Sequence, residues 1–314
     1  MPRGRWPTAE LPGHLQALYT RFPFDRSVPD DPVALIRPLA TDRRSAEIAG
    51  IFAATLAIGR AASIRRAFAT WLRLTGGDLG AFVERSPRPA GGAALRGFRH
   101  RWIRGDQLTF LGYRLHEIQR EHGGLEELFR SGFEGPHGFA GGLDALAHGL
   151  RGESPRPGAP RPPVGYRILF PSPLEAARSP CKRQTLFVRW MVRTGVPDLG
   201  VWSHVPAREL RVPLDLHVFW IARNLGLTRR KTPSWAAVEE ITAALRTIDP
   251  VDPVRFDFVL CHTGISGDCP KHREIARCTP CAVRPDCRLW HGRPWPGPPG
   301  PHEQPLVAPQ TVHA

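Results

Sequence analysis

Apolar residues recur at three- and four-residue steps along most of this chain. No useful run alternates apolar with polar, so the pattern predicts a mainly α fold. The clearest helical stretch is Ser45–Leu72, with Ser45 as N-cap and Gly59 dividing it in two. Before it, residues 1–39 read as an arm with short helices, for example Leu11–Phe22. After it come a Gly/Pro/Arg loop over 85–100 and helices near 106–120, 123–131 and 140–149. Residues 151–165 (RGESPRPGAPRPPVG) are too rich in Pro and Gly for helix or sheet and read as a linker. Helices resume near 180–194, 215–225, 233–246 and 250–261, and a cysteine-rich segment follows over 261–290. Residues 291–314 have the composition of a disordered tail. The organisation expected is a helical lobe over 40–150 and a second over 166–260, with the arm 1–39 packed on the second.

Composition narrows the class. No apolar run approaches the roughly 20 residues that span a bilayer, and the opening MPRGRWPTAE has no apolar core. The expectation is a soluble, cytoplasmic protein without a membrane partner. The net charge is +14, from 43 basic and 29 acidic residues. Such a balance favours a polyanionic partner, because each phosphate contact releases counterions. Only three of the basic residues are lysines (Lys182, Lys231 and Lys271), and the chain holds 34 Pro and 31 Gly. A GC-rich genome accounts for Arg over Lys, but not by itself for the excess of basic over acidic residues.

Five of the six cysteines lie between 261 and 287, and the sixth is Cys181. A disulfide framework would spread them out, whereas clustering suggests a metal site. The spacing is Cys269-x8-Cys278-x2-Cys281-x5-Cys287. Four thiolates in a short loop suit either a structural zinc ion or an iron–sulfur cluster. Pro270, Pro280 and Pro285 stiffen the turns between them. Cys261 is either a spare ligand or a packing residue on the apolar face of FDFVLC. Lys271, His272, Arg273, Arg277, Arg284 and Arg288 interleave with the ligands, as a phosphate-facing loop or as a solvated surface.

Ser179-Pro180-Cys181-Lys182 opens a helix, with Ser179 as N-cap and Pro180 in the first position. Lys182 then sits at the positive end of the helix dipole beside Arg183, a field that favours the neutral, nucleophilic amine. An ordinary phosphate-binding lysine fits the same position. Asp215, in VPLDLHV, reads as the N-cap of the next helix, and a carboxylate there can also stabilise a developing cation.

These motifs resemble the helix-hairpin-helix DNA glycosylase superfamily, which includes endonuclease III and the adenine glycosylases. Its V-D-T-H-V-x-R segment is similar to PLDLHVFWIARNLGL here, which puts the catalytic Asp at Asp215. Its C-x6-C-x2-C-x5-C loop is matched except in the first gap. The two-glycine hairpin is replaced by FPSPLEAARSPCK, and the glutamine motif of the lesion side is missing near Gly59-Arg60. A closer resemblance is to the DUF2400 family, through SPCKRQTLFVRWMVR, VPDLGVWS, VPLDLHV, LGLTRRKT and DPVRFDFVLCHTGIS, over roughly residues 40–290. That family is distantly similar to the archaeal 8-oxoguanine glycosylases, whose lysine precedes the Asp by about thirty residues; Lys182 precedes Asp215 by 33. The resemblance implies a two-lobed helix-hairpin-helix glycosylase-like fold with a C-terminal four-cysteine metal loop. It implies a [4Fe–4S] cluster, or zinc, on Cys269, Cys278, Cys281 and Cys287. The catalytic pair would be Lys182 and Asp215, and Arg183, Arg189, His217, Arg229, Arg230 and Lys231 would face DNA. Trp102, Phe187 or Trp220 would stack on a flipped base. The partner would be double-stranded DNA with a damaged base or abasic site, bound by a nucleoid-associated monomer. Two other classes remain open: an iron–sulfur DNA-binding protein without catalysis, and a metal or redox protein whose charge is incidental.

Overall fold

The computed structural model describes residues 7–86, 93–153, 158–175 and 178–292. The proposed tail therefore lies almost wholly outside the described residues. The fold is mainly helical. Helix α1 (Leu11–Arg21) and two single turns, α2 (Phe24–Ser27) and α3 (Val33–Ile36), make the arm. The first half continues with α4 (Arg43–Leu56), α5 (Ala61–Leu74), α6 (Leu79–Arg85), α7 (Gly105–His122), α8 (Leu125–Phe133) and α9 (Gly138–Arg151). The second half holds α10 (Lys182–Val192), α11 (Leu216–Asn224), α12 (Trp235–Arg246), α13 (Asp257–Ile265) and the single turn α14 (Ile275–Cys278). No helix among the described residues is long and apolar enough to cross a membrane.

Helix α4 is the hub. It begins two residues before Ser45, because Asp42 rather than Ser45 is the cap: its carboxylate accepts from the Ser45 backbone N–H at 2.9 Å and from the Ser45 hydroxyl at 2.9 Å. A carboxylate also complements the helix dipole, which a serine hydroxyl does less well. Every residue from Ala46 to Leu56 is buried. Small residues make that possible: a Cβ at Gly50 would lie 2.8 Å from Met191 Cε, so α4 and α10 pack closely. Gly59, at φ +97°, separates α4 from α5 as its position suggests. The apolar core runs without interruption from Leu11 through α4, α7 and α10 to Val283.

Some elements differ from the sequence reading. A small antiparallel hairpin, β1 (Arg99–His100) and β2 (Ile103–Arg104), stands between α6 and α7, with Arg99 opposite Arg104 and His100 opposite Ile103. Two residues per strand are too few to leave an alternating pattern. The helix expected at 250–261 starts later, at Asp257, after a turn around Pro253. Around the masked residues 154–157, the stretch 151–165 is the tail of α9 and a loop without regular structure. Its Val164 carbonyl is held by Arg104 and Gln107, at 3.0 and 3.2 Å.

The arm lies on α13 and on the cysteine segment. Phe24 stacks on Phe258 at 5.7 Å, and His262 Nε2 meets Asp31 Oδ2 at 3.0 Å. Asp286 receives the Thr8 hydroxyl and lies 2.6 Å from His14 Nδ1.

Helices α8 and α9 cross at a pair of glycines. A Cβ at Gly132 would fall 2.2 Å from the Gly141 carbonyl oxygen, and one at Gly141 would fall 2.4 Å from that of Gly132. Backbone cannot yield as a flexible side chain can. Gly132→Ala is therefore expected to cost roughly 1–3 kcal/mol and to lower the melting temperature by several degrees. Gly13→Ala, whose Cβ meets nothing within 4 Å, is expected to leave it unchanged or raise it slightly. Differential scanning calorimetry of both variants checks this pair.

Candidate functional site

Lys182 is the first residue of α10. The cap is Cys181, held at φ +50°, so Ser179 and Pro180 lie outside the helix. Ser179 still helps: its hydroxyl oxygen accepts from the Cys181 N–H at 3.1 Å and shapes the turn. Cys181 is fully buried, and burial pushes its thiol up to about 12, which marks a packing residue. Asp215 is the N-cap of α11, with Oδ1 accepting from the Val218 N–H at 2.8 Å. That bond aims Oδ2 at two partners. Lys182 Nζ is 3.6 Å away, and the Cys261 thiol donates at 3.2 Å.

Electrostatics settle the resting charge of the pair. Burial alone would lower the Lys182 ammonium, but Asp215, with Cys261, Asp257 and Asp31 adding to it, outweighs burial and holds it above its ordinary range. Burial likewise pushes Asp215 up, yet Lys182, the Val218 N–H and the Cys261 thiol bring it below its ordinary range. These directions favour ammonium and carboxylate at rest over the neutral amine expected from the sequence, because the Asp215 carboxylate opposes the effect of burial on Lys182. Burial, and then the Asp215 charge, keep Cys261 a protonated thiol.

Beneath this pair is a second charged layer. Arg189 Nη1 meets Asp257 Oδ2 at 2.5 Å and Nη2 meets Asp198 Oδ1 at 3.1 Å, all three side chains being buried. Arg193 adds Asp198 and Asp252, at 3.1 and 2.8 Å. Burial pushes the Asp257 carboxyl up to about 7 against the pull of Arg189, with Asp215 and Asp198 adding to the rise.

The site opens into two cavities, of about 890 and about 670 Å³. Lys182, Asp215 and His217 line both, and Gly59 and Ala61, from the α4–α5 connection, face them from the first half of the chain. Asp257 and Cys261 line the larger one. The two stand one helical turn apart on α13, a spacing in FDFVLC that could have singled out Asp257 beforehand.

The other sequence candidates scatter. Arg189 is buried among carboxylates and does not reach the surface. Arg183 gives its guanidinium to the Leu169 and Ile168 carbonyls, at 2.8–3.1 Å, and burial pulls it down to about 10. Arg229, Arg230 and Lys231 are exposed together on the loop before α12, with Arg230 paired to Glu240 at 2.6 Å. Phe187 and Trp220 are core residues, whereas Trp102 is 41% exposed.

The four cysteines line one small cavity of about 30 Å³, with Ile221, Leu225 and Trp290. Burial pushes the Cys269 thiol up to about 12, and Cys287, Cys281 and Cys278 raise it further because they stand close by. Backbone N–H groups of Val283 and Arg284 are directed at the Cys281 sulfur, and those of Leu289 and Trp290 at Cys287. Cys261 lies instead in the cavity of Lys182, so it is not a fifth member of this group. Among the described residues, three donors within 4.8 Å of one another occur at His148, Glu153 and Glu175, and not among the cysteine sulfurs. Arg151 and Arg167 pair with those acids, which makes that group a salt-bridge cluster.

Asp257 has a signed consequence. Its folded value, about 7, lies above its ordinary 3.8. The folded state therefore holds a proton that the unfolded state releases, and this stability is full below 3.8 and lost as pH rises through about 7. Asp257→Asn, which keeps that position neutral, is expected to gain on the parent protein as pH rises from about 5 to about 8, read as urea midpoints. A difference between the two proteins that stays constant across this range would mean Asp257 is ionised throughout.

Among protein families, the one described as "Protein of unknown function (DUF2400)" matches residues 31–266. The match takes in Lys182, Asp215, Asp257 and Cys261 and ends before Cys269. No curated protein and no solved structure matches the chain.

Proposed function

The chain belongs to the DUF2400 family, and on that premise we propose that it is a DNA base-excision glycosylase with AP-lyase activity, acting through Lys182 and Asp215. One observation carries the reading: a lysine amine 3.6 Å from a carboxylate, on the wall shared by two cavities, in a chain of net charge +14. A nucleotide with a damaged base, turned out of duplex DNA, would enter this cleft. Such a ligand displaces water, and in a drier site the ammonium–carboxylate pair loses solvation, so the proton moves from Lys182 Nζ to Asp215 Oδ2. The freed amine lone pair forms a bond to C1′ of the sugar. The C1′–base bond breaks, and the base leaves with its electron pair and takes the proton that Asp215 holds. The C1′-bound nitrogen then gives a proton to Asp215, its lone pair opens the ring by breaking the C1′–O4′ bond, O4′ takes that proton, and β-elimination from the resulting lysine Schiff base cleaves the strand. The Cys261 thiol and Val218 N–H keep the carboxylate turned toward the amine throughout.

The cysteine residues fit a metal centre. Cys269, Cys278, Cys281 and Cys287 would hold it, and the N–H groups directed at Cys281 and Cys287 favour thiolates there. We read the centre as a four-iron cluster, with zinc as the alternative. The centre's role would be structural, pinning the loop on which the arm rests. The remaining candidates Arg229, Arg230, Lys231 and His217 would meet the phosphates of the duplex.

A second reading, a DNA-binding protein without catalysis, is favoured by the protonated state of Lys182 at rest. Borohydride trapping on duplexes carrying 8-oxoguanine, an oxidised pyrimidine or an abasic site separates the two. The expected result is a covalent adduct that disappears in Lys182→Gln and falls at least a hundredfold in rate in Asp215→Asn, roughly the scale of acid–base assistance. DNA binding without any adduct would leave the second reading. For the metal, anaerobically purified protein is expected to be brown, with absorbance near about 410 nm and bound iron and sulfide. Cys278→Ser is expected to lose the colour, and a colourless, zinc-loaded preparation would sink the cluster assignment.

A further inference from the structure

The elimination step needs a group that takes the C2′ proton, and the cleft offers one outside the Lys182–Asp215 pair. His262, in DPVRFDFVLCHTGIS, follows Cys261 on α13 and lines the same cavity of about 890 Å³ as Lys182 and Asp215. Its Nε2 lies 3.0 Å from Asp31 Oδ2. Asp31 is itself fixed, because its Oδ1 accepts from the Val33 N–H at 2.9 Å. Asp31 lines the cavity too, and its charge is felt at Lys182. The arm thus brings a carboxylate from 231 residues away in the chain onto an imidazole of the cleft wall.

This arrangement decides which ring nitrogen is free. A carboxylate accepts, so Nε2 carries the hydrogen and Nδ1 keeps its lone pair. Nδ1 has no hydrogen-bond partner among the described residues and is not sealed in the core. The ring is held in place, 4.1 Å from the Phe258 ring and 6.3 Å from that of Phe22. The carboxylates on the same wall are occupied. Asp215 accepts from the Val218 N–H and the Cys261 thiol, Asp257 pairs with Arg189, and Asp30 pairs with Arg65. His217 lines both cavities, but no carboxylate among the described residues is hydrogen-bonded to it to fix its tautomer.

We propose that His262 is the base of the elimination step, with Asp31 as its positioning residue: Nδ1 takes a proton from C2′ of the sugar held as a Schiff base on Lys182. This rests on the reading of the cleft as a lyase site. The C2′–H electron pair forms a C1′–C2′ double bond and neutralises the iminium nitrogen. The nitrogen lone pair then restores the iminium, a C2′–C3′ double bond forms, and the C3′–O bond breaks, the 3′-phosphate leaving with that pair. Imidazole is by nature a stronger base than a carboxylate. A carboxylate behind it holds the tautomer and stabilises the imidazolium that forms. C2′ becomes acidic only once the iminium exists, so His262 acts after Lys182 and not in its place.

The experiment uses the full chain and a duplex with a natural abasic site, on which the Schiff base forms with no base to excise. Adduct formation is read by borohydride trapping, strand cleavage on a denaturing gel, and folding by melting temperature. His262→Ala is expected to lower the ratio of the cleavage rate to the adduct-formation rate at least about a hundredfold, the scale of a general base, and added imidazole to restore much of it. His262→Phe, which keeps a ring beside Phe258 and Phe22, is expected to show the same loss without the rescue. Asp31→Asn is expected to lower the ratio about tenfold. An unchanged ratio in a folded His262 variant would overturn the assignment and leave the lysine reading standing, as would a parent protein that forms the adduct without cleaving. If neither His262 variant folds, the ratio in Asp31→Asn decides in the same way. Absence of an adduct with the parent protein would overturn both.

Discussion

The buried guanidinium of Arg189 organises the second half of this protein. It reaches from α10 to Asp198 in the following loop and to Asp257 at the start of α13. Charges removed from water must be matched, and breaking such a set by removing one partner leaves a bare charge in the interior. The triad thus fixes three segments relative to one another in a way that apolar packing, which tolerates sliding, would not. Lys182 opens the helix that carries Arg189, and Cys261 follows Asp257 by one turn. The distances at Lys182, Asp215 and Cys261 are set one layer below, by these ion pairs.

Asp215 shows how few residues the site needs. One carboxylate oxygen caps α11, and the other receives a thiol and faces an ammonium. The cap determines the orientation, and the orientation makes the pair. Because the Asp215 carboxylate faces it, the ammonium at Lys182 is favoured at rest, and any chemistry by the amine must begin with a change in solvation. The cavities on either side supply the space in which that change can occur.

The periphery is tied to the same core. The arm holds α13 through Phe24 and Asp31 and the cysteine segment through His14 and Asp286. The four cysteines in turn pack on α11 through Ile221 and Leu225. Order in the cysteine loop therefore bears on the helix that Asp215 caps, and Cys281 also lines the larger cavity of Lys182.

The helical class, the break at Gly59, the cap at Asp215 and the first-turn position of Lys182 were legible in sequence, because each depends on residues within one or two turns. So was the grouping of the cysteines, which the chain carries in a single loop. The starts of α4 and α10 were misread by a few residues, since Asp42 and Cys181 compete locally with Ser45 and Ser179 and only geometry decides between neighbouring caps. The burial of Arg189, the protonation of Lys182 and the separation of Cys261 from the other thiols were not legible. Each depends on a partner far away in the chain: Asp257 for Arg189, and Asp215 for both Lys182 and Cys261. Local pattern determines which segments become helices and which ends are capped. Charge state and exposure depend on what the remaining chain brings alongside, and that is decided only when the helices pack.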